Sequence, residues 1–189
     1  MASYPSISAM PMFRYGLIMA DIPWTFDNWS VAGEVKNASA KYECQDLNWA
    51  KSLRVGDIAA RDCVLWLWAT NPLLDVAFDV MSAWGFKFKT AGHWSKKTVN
   101  GKQAFGTGYI LRCAGEPFLI GTVGEPWTAR NVRSVIEGPV REHSRKPDEA
   151  FEAAECLCGD VPRAELFSRQ PRAGWDVMGN ETAKFAEAS

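Results

Sequence analysis

The chain has no apolar run approaching 18 residues, which excludes a membrane-spanning helix. It has two histidines and five cysteines (Cys44, Cys63, Cys113, Cys156 and Cys158), and none of them stands at metal-ligand spacing. No metal site is therefore expected. An odd cysteine count without a secretory signal points to reduced thiols in the cytoplasm. There is no internal repeat, low-complexity tract or linker, so the 189 residues read as one domain. Residues 1–12 have neither a basic start nor a long apolar stretch, and they read as a short loose leader before a domain spanning 13–189.

A local absence is more informative. The net charge is −1, yet no Asp or Glu occurs between Val80 and Gly115, where Lys87, Lys89, Lys96, Lys97, Lys102 and Arg112 lie. The compensating acid is concentrated between Glu137 and Glu165. Such a basic stretch is either a solvated hairpin or a phosphate-contacting surface. Charge alone does not separate the two.

Near-continuous apolar runs at Phe13–Ala20 and Asp62–Thr70 read as buried strands. Asn71 followed by Pro72 reads as a helix N-cap and first turn, with a helix continuing to about Trp84. Its apolar positions Leu73, Leu74, Ala77, Val80 and Met81 recur at helical spacing. Strands are expected at Phe86–Trp94, Tyr109–Cys113, Pro117–Val123 and Ala164–Ser168. Helices are expected at Gln45–Leu53 and from Pro147 to about Leu157. Thr25–Cys44 and Ser95–Thr107 read as loops, the first long enough to suggest function and the second polar and basic.

Alternating strands and helices with fully apolar strands predict an α/β fold, with a mainly parallel sheet covered on both faces. Ligands bind such sheets at the carboxyl ends of strands. Asp21, Asn71 and Arg169 fall at such ends.

The tetrapeptide Asp21-Ile22-Pro23-Trp24 follows the first strand directly. Taken alone it reads as a strand-ending turn, yet its parts also suit one demanding reaction, methylation of the adenine N6 amine. That nitrogen is planar and weakly nucleophilic because its lone pair is delocalised into the ring. Acceptors on both N–H bonds draw it toward a tetrahedral form. The Asp21 carboxylate and the Ile22 carbonyl offer two acceptors, Pro23 restricts the backbone, and Trp24 can stack on an extruded base.

These residues resemble the Asp-Pro-Pro-Trp motif of the N6-adenine methyltransferases related to the catalytic subunit of the eukaryotic messenger-RNA adenosine methyltransferase. Later landmarks follow in that family's order. They are Leu65-Trp66-Leu67-Trp68-Ala69-Thr70, Trp94-Ser95-Lys96, His143 to Glu149 (HSRKPDE), Glu165 to Arg169 (ELFSR), Gly174-Trp175 and Gly179-Asn180-Glu181. The resemblance covers about Tyr15 to Lys184. It implies a Rossmann-like class I methyltransferase fold, S-adenosylmethionine as cofactor, and a nucleic acid as substrate. DNA is expected, as for compact bacterial and phage members, with RNA or a catalytically silent binding role as alternatives.

The resemblance also implies roles. Asp21 would meet both the reacting amine and the methionine end of the cofactor. Glu165, Arg169, Asn180 and Glu181 would hold the cofactor's adenosine and ribose, although Glu165 and Arg169 could equally form a structural ion pair. His143 and Lys146 precede a helix start that suits the cofactor carboxylate, while capping explains Ser144 and Pro147 equally well. Tyr42 would lie near the target base or simply anchor its loop. Independently of the resemblance, Asn71 at its strand end is a candidate substrate contact beside Trp24 and Tyr42, and the basic residues Lys96, Lys97 and Lys102 are candidates for the nucleic-acid backbone. One departure stands out: a lysine that contacts cofactor in the eukaryotic subunit is replaced by Gly115, leaving Arg112 and Lys146 as candidates for the missing charge. Recognition sequence and oligomeric state leave no mark in the sequence.

Overall fold

The computed structural model describes residues 1–23, 47–108, 110–142 and 145–179. Among them an eight-stranded sheet carries the fold. Its strands are β1 (Ser3–Tyr4), β2 (Tyr15–Ala20), β3 (Ala59–Trp68), β4 (Lys87–Lys97), β5 (Gly115–Val123), β6 (Val135–Pro139), β7 (Arg163–Leu166) and β8 (Trp175–Met178). The spatial order is β1-β8-β7-β2-β3-β5-β4-β6. Pairing is parallel except at β5, which runs antiparallel to both β3 and β4. The expected mainly parallel α/β sheet is observed.

β2 is central because all six of its residues are buried. Its alternating side chains feed two cores, as the two-residue period of a strand requires. Ile18 and Ala20 join Leu65 and Leu67 of β3 on one face, covered by helix α3 (Leu74–Ala83) through Ala77, Val80 and Met81. Leu17 and Met19 join Val64, Trp66 and Trp68 on the other. That face is covered by helix α4 (Asp148–Cys158) through Ala150, Phe151 and Ala154. The second core is strongly aromatic: Trp66 stacks on Phe118 with centroids 4.1 Å apart, and Phe151 meets Trp175 edge-on at 5.4 Å. Two shorter helices, α1 (Leu47–Ser52) and α2 (Val55–Ile58), lead into β3.

From β2 the chain proceeds to β3 on one side, and it returns from α4 to β7 on the other. Divergence of neighbouring connections opens a crevice at the carboxyl end of the shared strand. Ala20, the last residue of β2, is flanked by Leu67 and Leu166. Asp21 therefore enters the crevice.

Several expectations need correction. Residues 1–12 are not a loose leader. β1 extends the sheet beside β8, Ile7 and Met10 are buried, and the Ala2 amide donates to Asp176 Oδ1 at 2.7 Å. Burial and pairing hold what composition alone left unassigned. Ile110 to Cys113 forms no strand, and Ile110 and Leu111 are exposed instead of packed. Asn71 is not an N-cap: Thr70 occupies that position before a 3-10 turn (Asn71–Leu73), without a side-chain cap, and the α-helix starts only at Leu74. β4 continues to Lys97, so Ser95–Lys97 is strand and not loop. The strand expected at Ala164–Ser168 ends at Leu166, and a further strand, β8, follows it. β6 also went unpredicted.

Candidate active site

A carboxylate drawn largely out of water at a strand end needs a partner. Asp21 obtains it from the segment before α4, where Lys146 Nζ lies 2.9 Å from Asp21 Oδ1. Lys146 also donates to Glu116 Oε1 at 2.6 Å. Glu116, second residue of β5, meets Lys96 Nζ at 3.0 Å through its other oxygen. Two acids and two ammonium groups thus form one neutral cluster. The register of β4 and β5, which sets Trp94 opposite Glu116, brings Lys96 into reach. The cations rest on aromatic faces: Lys146 is 5.2 Å from the Trp68 ring centroid and Lys96 is 4.6 Å from that of Trp94.

The side chain of Lys146 is only 7% exposed and that of Asp21 25%. Burial pushes the Asp21 carboxyl upward and Glu116 adds to this, while Lys146 opposes both. At Glu116 burial also acts upward, but Lys146 and Lys96 together overcome it and bring the carboxyl to about 2. Lys146 would lose its proton more easily through burial alone; Asp21 and Glu116 reverse this and hold it charged.

The cleft beside Asp21 opens to solvent. Its wall carries a second carboxylate, Glu165, the cations Arg145, Lys146 and Arg169, the rings of Phe151 and Phe167, and Gln170. Glu165 sits near the end of β7, beside β2. Burial raises its carboxyl to about 7, although it accepts a hydrogen bond from Ser168 Oγ at 2.8 Å and feels Arg172. Phe167 adopts φ of +64°, a conformation uncommon for a side chain of this size, and it turns the chain sharply at the cleft wall.

Asp148, at the start of α4, ties both sides of the cleft together. Arg172, beyond β7, donates to Asp148 Oδ1 at 2.5 Å, and Arg141, before Lys146, pairs with Asp148 Oδ2. The Arg172 guanidinium lies 3.7 Å from the Phe151 ring centroid.

The structure thus brings Asp21, Lys146, Glu165 and Arg169 to one cleft. Ile22 is buried in the core, and Pro23 follows it. Trp24, Tyr42, His143, Asn180 and Glu181 lie outside the described residues. Asn71 is exposed and donates to Cys113 Sγ at 3.5 Å. Lys96 is turned to Glu116. Lys97 pairs with Glu137 at 2.8 Å, and Lys102 is exposed on the hairpin beyond β4. Sequence reasoning assigned no role to Glu116, Asp148 or Arg172. An acid opening an otherwise apolar strand was the available signal at Glu116; the other two reveal themselves only through tertiary contact.

A model of the MT-A70 family matches residues 15–181, from β2 past the end of β8. The chain belongs to the MT-A70 family. The fold described above is the Rossmann-like methyltransferase fold of that family. Among its relatives, the Type II methyltransferase M.MunI of Mycoplasma sp is 30% identical over 190 residues, covering 91% of this chain and 79% of that protein. The N(6)-adenosine-methyltransferase MT-A70-like of Arabidopsis thaliana is 31% identical over 172 residues, covering 88% and 24%. The human N(6)-adenine-specific methyltransferase METTL4 is 27% identical over 200 residues, covering 95% and 41%. The chain therefore spans most of the mycoplasmal relative but less than half of these plant and human proteins.

Proposed function

We propose that this MT-A70 member transfers a methyl group from S-adenosylmethionine to N6 of adenine in nucleic acid, with DNA as the substrate. The observation that carries the reading is Asp21 at the carboxyl end of the central strand, fixed by Lys146 within a cleft that also holds Glu165 and Arg169.

The donor set fits the cofactor. Glu165 suits ribose hydroxyls, Arg145 and Arg169 suit a carboxylate, and Phe151 and Phe167 offer apolar surface to a purine. When bound, S-adenosylmethionine supplies a methyl group made electrophilic by its sulfonium. Asp21 and the Ile22 carbonyl accept the two N–H bonds of the adenine amine and draw its nitrogen toward tetrahedral geometry. Lys146 keeps the Asp21 carboxylate in place and compensates its charge during the approach. The Asp21 carboxylate, placed on the amine, takes the proton that the amine releases. Preorganised charge of this kind requires no rearrangement at the moment of reaction.

DNA is favoured by similarity across most of a compact protein named as a Type II methyltransferase. RNA is the alternative, favoured by relatives named for N(6)-adenosine. No helix among the described residues is long and apolar enough to cross a membrane; a cytoplasmic location belongs to the same proposal. Incubation with labelled S-adenosylmethionine and matched DNA and RNA oligonucleotides tests the reading. DNA carrying N6-methyladenine is the expected product. Asp21→Ala should retain the fold, because Glu116 still pairs with the buried Lys146, and lose about 10²–10³ in turnover, the scale for removing a charge-stabilising group. Retention of oligonucleotide with no label transferred would leave a silent binder, and near wild-type turnover by Asp21→Ala would remove the acid from the chemistry.

A further inference from the structure

Between β4 and β5 the chain projects a hairpin whose base is firmly fastened. Gln103 donates through Nε2 to the carbonyls of Lys96 (3.0 Å) and Ala114 (2.6 Å), and it accepts from Ser95 Oγ at 2.9 Å. Beyond that staple, Gly106 and Cys113 close a second loop through backbone bonds. On this braced support four apolar side chains face solvent: Val99, Phe105 (81% exposed), Ile110 (93%) and Leu111 (83%). Single exposed apolar residues are ordinary. Four on one short projection are not, and exposed apolar clusters mark contact surfaces.

Two observations identify the partner. Residues 98–113 contain Lys102 and Arg112 and no acid, with the Arg112 guanidinium 6.0 Å from the Phe105 ring centroid. The hairpin also springs from the catalytic cluster itself. Lys96 and Glu116, which bracket it, are paired with each other, and Glu116 accepts from the lysine that holds Asp21. The tip is thus joined through the two strand ends that carry it to the cluster around Asp21. A polyanion meets both conditions.

An adenine inside a duplex cannot reach a strand-end carboxylate without leaving the stack, and its departure opens a gap. Proteins that distort duplexes fill such gaps with Leu, Ile, Phe or Met. We propose that the tip of the 98–113 hairpin is a base-stack wedge, with Ile110 and Leu111 entering a DNA duplex next to the target adenine while Lys102 and Arg112 hold the adjoining phosphates. The proposal rests on the nucleic-acid reading above. It adds how a duplex is opened.

The test pairs Ile110→Ser/Leu111→Ser with the wild-type protein on duplex and single-stranded oligonucleotides of one target sequence. Because opening a duplex costs a few kcal/mol, the ratio of duplex to single-strand turnover should fall by about tenfold or more in the variant. In a second arm, 2-aminopurine replaces the target adenine of the duplex and binding is followed by anisotropy. Its fluorescence should rise on binding wild-type protein and stay at the free-duplex level with the variant bound. An unchanged turnover ratio overturns the wedge, as does a wild-type complex that leaves 2-aminopurine quenched. Sedimentation of the wild type as a dimer and the variant as a monomer, with the ratio retained, would assign the tip to a second copy of the chain instead. The fluorescence arm needs no methyl transfer, so failure of the wedge and failure of the proposed reaction are read separately.

Discussion

Lys146 reaches from the segment before α4 to place its ammonium 2.9 Å from Asp21 Oδ1. Two parts of the sequence far apart thereby make one charged cluster, with Glu116 as third member. Of the two candidates for the charge missing at Gly115, Lys146 is the one that reaches the acid.

Removing that ammonium leaves Asp21 and Glu116 close together, with Lys96 paired to Glu116 and Arg169 acting on Asp21 from the cleft wall. Breaking a buried pair by deleting one partner typically costs about 3–5 kcal/mol, because the remaining charge cannot return to water. Lys146→Met should therefore lower unfolding free energy by about that amount in urea titration. Lys146→Arg should recover part of the loss. A Lys146→Met protein as stable as wild type would show that the cluster does not depend on this cation.

Much of this arrangement was legible from the sequence, for definable reasons. β2 and β3 are buried on both faces, so they read as continuous apolar runs. Asp21 and Glu165 stand at or near the ends of such runs, where the fold directs ligands. The short strands β1, β6 and β8 were missed because two to five residues carry too little periodicity. Ile110 and Leu111 misled for the opposite reason: an apolar run does not reveal whether it is packed. The Glu116 contacts depend on the register of β4 against β5 and on a segment distant in sequence, information that no local pattern holds.

Glu165 gives the fold a pH dependence of definite sign. Burial raises its carboxyl to about 7, above the ordinary glutamate value of about 4.3 in an unfolded chain. Between those values the folded protein binds the proton and the unfolded chain does not. Stability should thus decline as pH rises from about 4.3 through about 7, with the full penalty present above that. Glu165→Gln should remove this component, so the difference in Tm between the two proteins should widen from pH 5 to pH 8. A difference that stays constant across the range would contradict the raised value.

Gly115 occupies its position for steric reasons. A Cβ there would overlap the imidazole of His93 and the backbone carbonyl of Trp94 on β4, and the carbonyl cannot move without opening the β4–β5 ladder. The lysine of the eukaryotic subunit therefore has no room on this backbone. Gly115→Ala should cost about 1–3 kcal/mol, the usual scale for forcing atoms into filled space, and Gly115→Lys at least as much. Equilibrium denaturation measures both. A lysine variant of wild-type stability would mean that the strands readily separate here.

Asp148 offers the sharpest distinction between holding a cleft and performing chemistry. It receives Arg172 from the chain beyond β7 and Arg141 from the chain before Lys146, so one carboxylate fastens the segments that carry Arg169 and Gln170 on one side and Arg145 on the other. Burial acts to raise its carboxyl, but Arg172 and Arg141 prevail and hold it below the ordinary range. Asp148→Asn retains the size and loses the charge, weakening both forks. Hydrogen bonds to charged groups contribute about 1.5–3 kcal/mol, and loss of even the lower figure from cleft alignment should weaken S-adenosylmethionine binding by about tenfold. Because Asp148 is not among the residues lining the cleft beside Asp21, turnover at saturating cofactor should stay within about twofold, the pattern of an interaction used equally in ground and transition states. Calorimetric titration gives the affinity and a saturation series gives KM and kcat separately. If kcat falls while cofactor affinity holds, Asp148 acts on the chemistry instead of on the walls of the cleft.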